Sequence, residues 1–397
     1  MPATPVYMDN HATTRVDPRV LEAMLPYFDS AYGNAGSTSH VFGWDAQDAV
    51  DAARESVARA LGAAPREIVF TSGATESNNL AIRGVCQRLT RRGDHLVSVA
   101  TEHKAVLDPL SRLGRRDFRV TLLDVEPAGG KEAGRLCPRR LEEALTDDTL
   151  LVSVMLANNE IGVLQPLEEI GAICKRRGVL LHCDATQAVG RIGVDVGRLQ
   201  VDLLSLSAHK MYGPKGVGAL YARRKSPSVR LEPQIDGGGQ EGGARSGTLN
   251  VPGIVGLARA LELCLAEMPQ ETDRLRALRD RLFRGLSERI DDVSLNGPAL
   301  EKTDQRLAGN LNCSFAGVDG EALMMSMREL AVSSGSACTS ANPEPSHVLR
   351  ALGLSDELSR SSLRFGLGRF NTEEDVDFAV ETVADAVARL RSLSRSV

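Results

Sequence analysis

Long apolar runs are missing from this chain. No stretch approaches the roughly 20 residues that a membrane-spanning helix needs, so no such helix is expected. The opening MPATPVYMDNHATT has neither the basic-then-apolar start of a secretory signal nor the arginine-rich character of a transit peptide, which makes the cytoplasm the expected location. Excess positive charge is missing too. A formal net charge of -5 offers no broad phosphate-neutralising surface, so nucleic acid is not an expected partner. Paired cysteines are absent as well. The seven are Cys86, Cys137, Cys174, Cys183, Cys264, Cys313 and Cys338; the number is odd and no two form a C-x-x-C pair. Neither a disulfide framework nor a zinc site is therefore spelled out. Internal repeats are lacking.

What is present is a strand–helix alternation. At 397 residues the chain is long enough for two domains. Between about residues 65 and 222, short β-branched runs such as EIVF, HLVSVA, LLVSVML, VLLHCD, VDLLSLS and VGALYA are separated by amphipathic stretches. Near-continuous apolar strands alternating with helices predict an α/β domain, a mostly parallel sheet with helices on both faces. Ligands of such sheets collect beyond the carboxyl ends of the strands. In this chain those ends carry the polar clusters TSGATES, TEHK, ANNE, CDATQ and SAHK. A long helical region follows over about 253–290, and its arginines read as a solvated face. From roughly residue 308 onward the pattern is a smaller α+β unit, with a cleft expected between the two. DVEPAGGKEAGR, 124–135, reads as a glycine- and charge-rich surface loop.

Most cysteines fit packing as small hydrophobes: Cys86, Cys174 and Cys264 in helical stretches, Cys183 and Cys313 in strand-like ones. Cys338 differs. It lies in SSGSACTSANPEPSHVL, where small polar residues and prolines predict an exposed loop, about 333–345.

SLSAHKMYGPKGVG puts Lys210 just past an apolar strand. Partial desolvation at a sheet's ligand edge makes an amine nucleophilic, and such amines form Schiff bases with carbonyl cofactors, pyridoxal phosphate (PLP) above all. Asp184 ends the preceding strand, where a carboxylate keeps a pyridine nitrogen protonated; the alternative is a helix cap. Gln187 follows three residues later as a donor to a ring oxygen. In SGATESNN, Ala74 and Thr75 would offer backbone N–H groups to a phosphate at a helix start. Ser207, His209 and Thr248 are further donor candidates, and His103 in TEHK is a candidate to stack on a ring and shuttle protons. Arg364, in the apolar strand SSLRFGLG, needs an anion: a substrate carboxylate or an internal salt bridge. Asn159 in ANNE would contact cofactor or substrate.

Together, YMDNHATTRVDPRV, YGNAGSTSHVFGW, FTSGATESNNLAI, TEHKAVL, NNEIGVLQP, DATQAVG, SAHKMYGPKG, RSGTLN, SSGSACTSA and SSLRFGLGRF resemble the PLP-dependent cysteine desulfurases of the IscS/NifS type. These belong to the class V aminotransferase-like group and serve housekeeping iron–sulfur assembly. The resemblance implies the aspartate aminotransferase-like fold (type I) with a seven-stranded, mostly parallel sheet. It implies a large PLP-binding domain at 16–262 and a small domain from 1–15 and 263–397. It assigns Lys210 to the Schiff base, Asp184 to the pyridine nitrogen, Gln187 to the ring oxygen and His103 to the ring face. Ala74, Thr75, Ser207 and His209 would surround the phosphate, with Thr248 contributed across a two-fold homodimer. Asn159 and Arg364 would hold the carboxylate of L-cysteine. Cys338 resembles the nucleophile that takes the sulfur as a persulfide, leaving alanine, and in several members the same loop cysteine ligates a transient iron–sulfur cluster.

The sulfur would pass to an iron–sulfur scaffold protein and other acceptors, tRNA thiolation among the uses. Two departures stand out: Ala208 replaces a common glycine in SAHK, and SLSRSV ends the chain soon after the last helix, which puts one mode of scaffold docking in doubt. The nearest alternative is a selenocysteine lyase or another class V PLP enzyme. A non-catalytic sulfur relay or cluster scaffold leaves Lys210, Asp184 and TSGATES without a purpose.

Overall fold

The computed structural model describes residues 2, 4–89, 92–225, 227–334 and 345–394. Seven strands form the main sheet in the order Ile68–Thr71, Gly218–Ala222, Leu203–Ser207, Leu180–Asp184, Thr149–Ser153, His95–Val99 and Arg119–Leu123. Only Gly218–Ala222 runs against its neighbours; the other six are parallel. Every residue of the five strands between the two edges is buried, which is why they read as unbroken apolar runs. The edge strand Arg119–Leu123 is partly exposed and carries arginine and threonine.

Each face of the sheet is covered. Val97, Leu181 and Leu204 pack on one side with Ile254 and Leu257 of the helix Val251–Arg289. Leu96, Leu203 and Leu220 pack on the other with Leu80 and Val85 of the helix Ala74–Arg88 and Leu110 of the helix Lys104–Gly114. The six parallel strands therefore present their carboxyl ends at one edge.

The second lobe is built on an antiparallel sheet, Ser333–Ser334, Ser362–Gly366, Asn310–Phe315 and Val293–Leu295. The helix Glu373–Ser394 packs against it, with Leu311, Phe315, Phe365 and Val383 in the core. The amino-terminal Val6 and Met8 join that core, and Val6–Tyr7 pairs in parallel with Leu330–Ala331. The 39-residue helix Val251–Arg289 serves both lobes: Leu261 and Cys264 lie in the first core, Leu278, Leu282 and Leu286 in the second. Arg369 locks the junction. It pairs with Asp17 (2.7 Å), Glu267 (3.0 Å) and Glu271 (3.1 Å) and stacks 4.3 Å above the Tyr212 ring.

The stretch 124–135 is less exposed than its composition suggests. Val125 and Ala133 are buried, and the Gly134 carbonyl accepts from the Gln165 amide, because the stretch folds back beside Gln165. Of the cysteines, Cys86, Cys174 and Cys264 are buried on helices and Cys183 and Cys313 on strands, all as free thiols. Among the described residues no helix is long and apolar enough to cross a membrane, and no group of three or more His, Cys, Asp or Glu side chains is placed to hold a metal ion.

Candidate active site

A cavity of about 640 Å³ opens at the carboxyl edge of the main sheet and is closed on its far side by the second lobe. Its floor comes from the turns that follow successive strands. After Ile68–Thr71 the chain turns through Ser72 and Gly73 into the helix Ala74–Arg88. Gly73 has φ +150°, which side-chain-bearing residues rarely adopt. It also lies so close to Gly218 that a Cβ on Gly218 would stand 2.7 Å from its Cα. Two glycines thus bring the helix start down onto the sheet.

No side chain caps that helix, so the N–H groups of its first turn, at Ala74 and Thr75, face the cavity with the positive end of the helix dipole. Ser207, ending its strand, and His209 in the following turn line the same end. His209 bonds Thr13 through Nδ1 (3.1 Å). Burial, with Lys210 and Lys215 nearby, pushes its pKa down to about 4, so it is a neutral ring.

Deeper in, Asp184 is 5% exposed and both its oxygens are engaged. Asn78 Nδ2 donates to one at 2.7 Å and the Thr186 N–H to the other at 3.0 Å. Two strand positions back, His182 is wedged between Ser153 Oγ (2.8 Å) and Ser205 Oγ (3.0 Å) of the neighbouring strands, and burial pushes its pKa down to about 4. Lys210 Nζ donates to the carbonyls of His11 and Ala12, each at 2.6 Å. Gln187 Nε2 donates to the same His11 carbonyl at 2.9 Å.

His103 caps the helix Lys104–Gly114, its Nδ1 accepting the Ala105 N–H at 3.0 Å. That bond puts the ring proton on Nε2. Burial lowers its pKa, the Asp184 carboxylate opposing and Lys210 and His347 reinforcing the effect, so the ring is neutral near pH 7.

The second lobe contributes Arg364 from its strand Ser362–Gly366. Its side chain is 7% exposed, paired with Asp9 at 2.7 Å and donating to the Asn159 carbonyl at 3.0 Å. Among the described residues its Nε has no partner although it is buried. Asp9 in turn accepts from the Ser333 hydroxyl at 2.8 Å. The internal salt bridge considered for Arg364 therefore exists, and donor capacity remains beside it. Glu160 lies close by, its carboxyl accepting from Ser346 and its pKa raised by burial.

Ala74, Thr75, His103, Asn159, Asp184, Gln187, Ser207, His209, Lys210 and Arg364 all line this one cavity. Thr248 does not: it is exposed and absent from the lining, although Arg245, three residues before it, is tied to Glu76 at the helix start by a 2.9 Å ion pair. Cys338 and most of the 333–345 loop lie outside the described residues. The lining also includes Asp9, His11, Asn78 and Glu160, none of which stood out from the sequence. A weak signal existed for the first two, a charged and a titratable side chain in the short polar run YMDNHATT.

The class-V aminotransferase family model matches residues 6–378. The chain belongs to that family. Its curated relatives include the cysteine desulfurase IscS of Anaeromyxobacter sp. (strain Fw109-5), 60% identical over 98% of this chain and 94% of that protein. Among solved structures, a NifS-like protein superposes with a TM-score of 0.88 at 38% identity, covering 97% of this chain and all of that one. SspA in complex with cysteine superposes with a TM-score of 0.80 at 36% identity, covering 92% of this chain and 99% of that one.

The donor set fits the cofactor of such enzymes. An uncapped helix start suits a phosphate, and a buried, doubly oriented carboxylate suits a pyridine nitrogen. Among the described residues, buried Asn78 Oδ1 and Thr186 Oγ1 are left without partners, as expected of walls shaped for a polar ligand.

Proposed function

We propose that this protein is a PLP-dependent cysteine desulfurase that takes sulfur from L-cysteine, releases alanine and passes the sulfur to acceptor proteins from Cys338, with a cytoplasmic location. The observation that carries the proposal is one cavity that combines Lys210, Asp184 and the uncapped start of Ala74–Arg88 with Arg364 from the opposite lobe. Ala74, Thr75, Ser207 and His209 would hold the cofactor phosphate, Asp184 its ring nitrogen and Gln187 its ring oxygen. When bound, the cofactor supplies an electron sink for charge at the substrate's α-carbon.

The residues do the rest. Arg364 and Asn159 orient the cysteine carboxylate, the guanidinium offering its unpartnered Nε beside the Asp9 pair. Lys210 holds the cofactor and moves the α-proton. His103, with Nδ1 occupied by the Ala105 N–H, exchanges a proton with the substrate sulfur through Nε2. The Cys338 thiolate attacks that sulfur; an S–S bond forms, the C–S pair leaves with the carbon skeleton, and protonation yields alanine.

The assembly in this reading is a two-fold dimer, with Thr248 reaching the phosphate end of a second copy's cavity. Its exposure and the tether of Arg245 to Glu76 support this, as do the exposed side chains of Phe28 (62%), Tyr32 (65%) and Trp44 (53%) on one amino-terminal segment. An iron–sulfur scaffold and further acceptors, tRNA thiolation enzymes among them, are the partners in this proposal, with Cys338 as a transient cluster ligand.

Absorbance spectra test the core of it. The wild type is expected to show a visible cofactor band that changes on addition of cysteine. Lys210→Ala is expected to lose that band, and an unchanged spectrum would contradict the lysine's role. Cys338→Ala is expected to keep the band and its response to cysteine while forming no persulfide. Stoichiometric sulfide release by that variant under reducing conditions would count against Cys338.

A further inference from the structure

His11 lines the cavity, is 1% exposed, and has no role in the chemistry described so far. Its backbone carbonyl is the shared acceptor of Lys210 and Gln187, which clamps the residue against both. The ring is held as well. Gly366 packs against it so closely that a Cβ there would come 2.9 Å from Cδ2.

The position of the ring proton follows from Arg191, whose guanidinium donates to Nδ1 and, through Nη2, to the carbonyls of Asn10 (2.8 Å) and Lys210 (3.1 Å). A guanidinium has no acceptor. A proton on Nδ1 would face an arginine N–H at contact distance, so Nδ1 carries its lone pair and the proton sits on Nε2. Gln187 Oε1 also stands 3.1 Å from Nδ1, but it competes for a proton that Arg191 forbids. Double protonation is opposed from every side, by burial and by the charges of Arg191, Arg364 and Lys210, with only the Gln187 contact favouring it. The ring is therefore a neutral donor.

Among the described residues that donor meets no acceptor, because Nε2 is buried without a partner there. Buried donors are almost always satisfied. We propose that the His11 Nε2–H donates to an anionic oxygen that enters the cavity with its ligand, with Arg191 as the positioning residue that fixes the tautomer. Two sources offer such an oxygen: the ring oxygen of the cofactor, beside Gln187, or the carboxylate of the substrate, beside Arg364. This rests on the reading of the cavity as a PLP site.

The test uses the holoenzyme and two variants. His11→Phe keeps a ring and loses the donor; His11→Gln keeps an N–H. One readout is the apparent pKa of the visible cofactor band without substrate, and the other is the dissociation constant of L-alanine. In His11→Phe one of these is expected to move by about one pH unit or roughly tenfold, and in His11→Gln to return to within about threefold of wild type. A moved band pKa assigns the oxygen to the cofactor; weakened alanine binding with an unmoved band assigns it to the substrate. If neither moves, the proposal is overturned.

A second measurement needs no variant. Histidine ¹⁵N spectra of the apoprotein are expected to show His11 as the Nε2–H tautomer, without titration between about pH 6 and about pH 9. An Nδ1–H tautomer, or a titrating ring, overturns it too. Absence of any visible band in the wild type would remove the PLP reading while leaving this spectrum to judge His11 on its own.

Discussion

Arg364 and Arg369 stand five residues apart in the second lobe, and their side chains are almost equally buried, 7% and 9% exposed. Their surroundings differ completely. Arg369 meets three carboxylates, those of Asp17, Glu267 and Glu271, and lies on the Tyr212 ring. Among the described residues Arg364 meets one carboxylate and one carbonyl and keeps an Nε with no partner, and it lines the cavity. A buried guanidinium with all its charge answered from within the chain is a structural joint. One left short of partners is a receptor. Removing Arg369 strands three carboxylates, whereas removing Arg364 strands Asp9 alone, which the Ser333 hydroxyl also holds, and costs in addition the ligand the guanidinium would have met.

Two substitutions sharpen that contrast. Arg369→Ala is expected to lower unfolding free energy by about 3–5 kcal/mol, read from urea denaturation; a loss under about 1 kcal/mol would erase the distinction. Arg364→Gln is expected to reduce kcat/KM for cysteine roughly a hundredfold while lowering unfolding free energy by less than Arg369→Ala does, since only Asp9 is stranded. A large drop in stability would make it a joint like its neighbour.

The smallest effect concerns His182, buried in the main sheet two positions before Asp184, with its pKa pushed down to about 4. In the unfolded chain a histidine titrates near 6.5. As pH falls from about 6.5 to about 4, the unfolded state takes up a proton that the folded state refuses, so stability declines through that window. His182→Gln is expected to flatten that decline in pH-dependent melting curves, and an unchanged slope would show that His182 does not carry it.

Much of the fold was legible because burial on both faces leaves a simple trace. LLHCD and LLSLS read as sheet interior, and the polar turns after them read as a ligand edge. Ten of the candidate side chains meet at that edge in one cavity. What could not be read is what depends on distant pairing. Asn78 looks like a solvent-facing polar residue of TESNNLAI, yet it is fully buried because Asp184, 106 positions away, needs a donor. Asp9 and His11 acquire their meaning only from Arg364 and Arg191, 355 and 180 residues along the chain. The 124–135 stretch looked like surface because glycine and charge dominate it, while two apolar side chains, Val125 and Ala133, anchor its ends.

The helix Val251–Arg289 is roughly 58 Å of continuous backbone at 1.5 Å per residue, and its two halves are rooted in different cores. Moving one lobe against the other means bending this rod, and Pro269, which lies between the two rooted stretches and withholds a backbone N–H, is where its hydrogen bonding is already interrupted. Cutting the chain in the middle of this helix would strip each core of part of its apolar cover, so neither half is expected to fold alone.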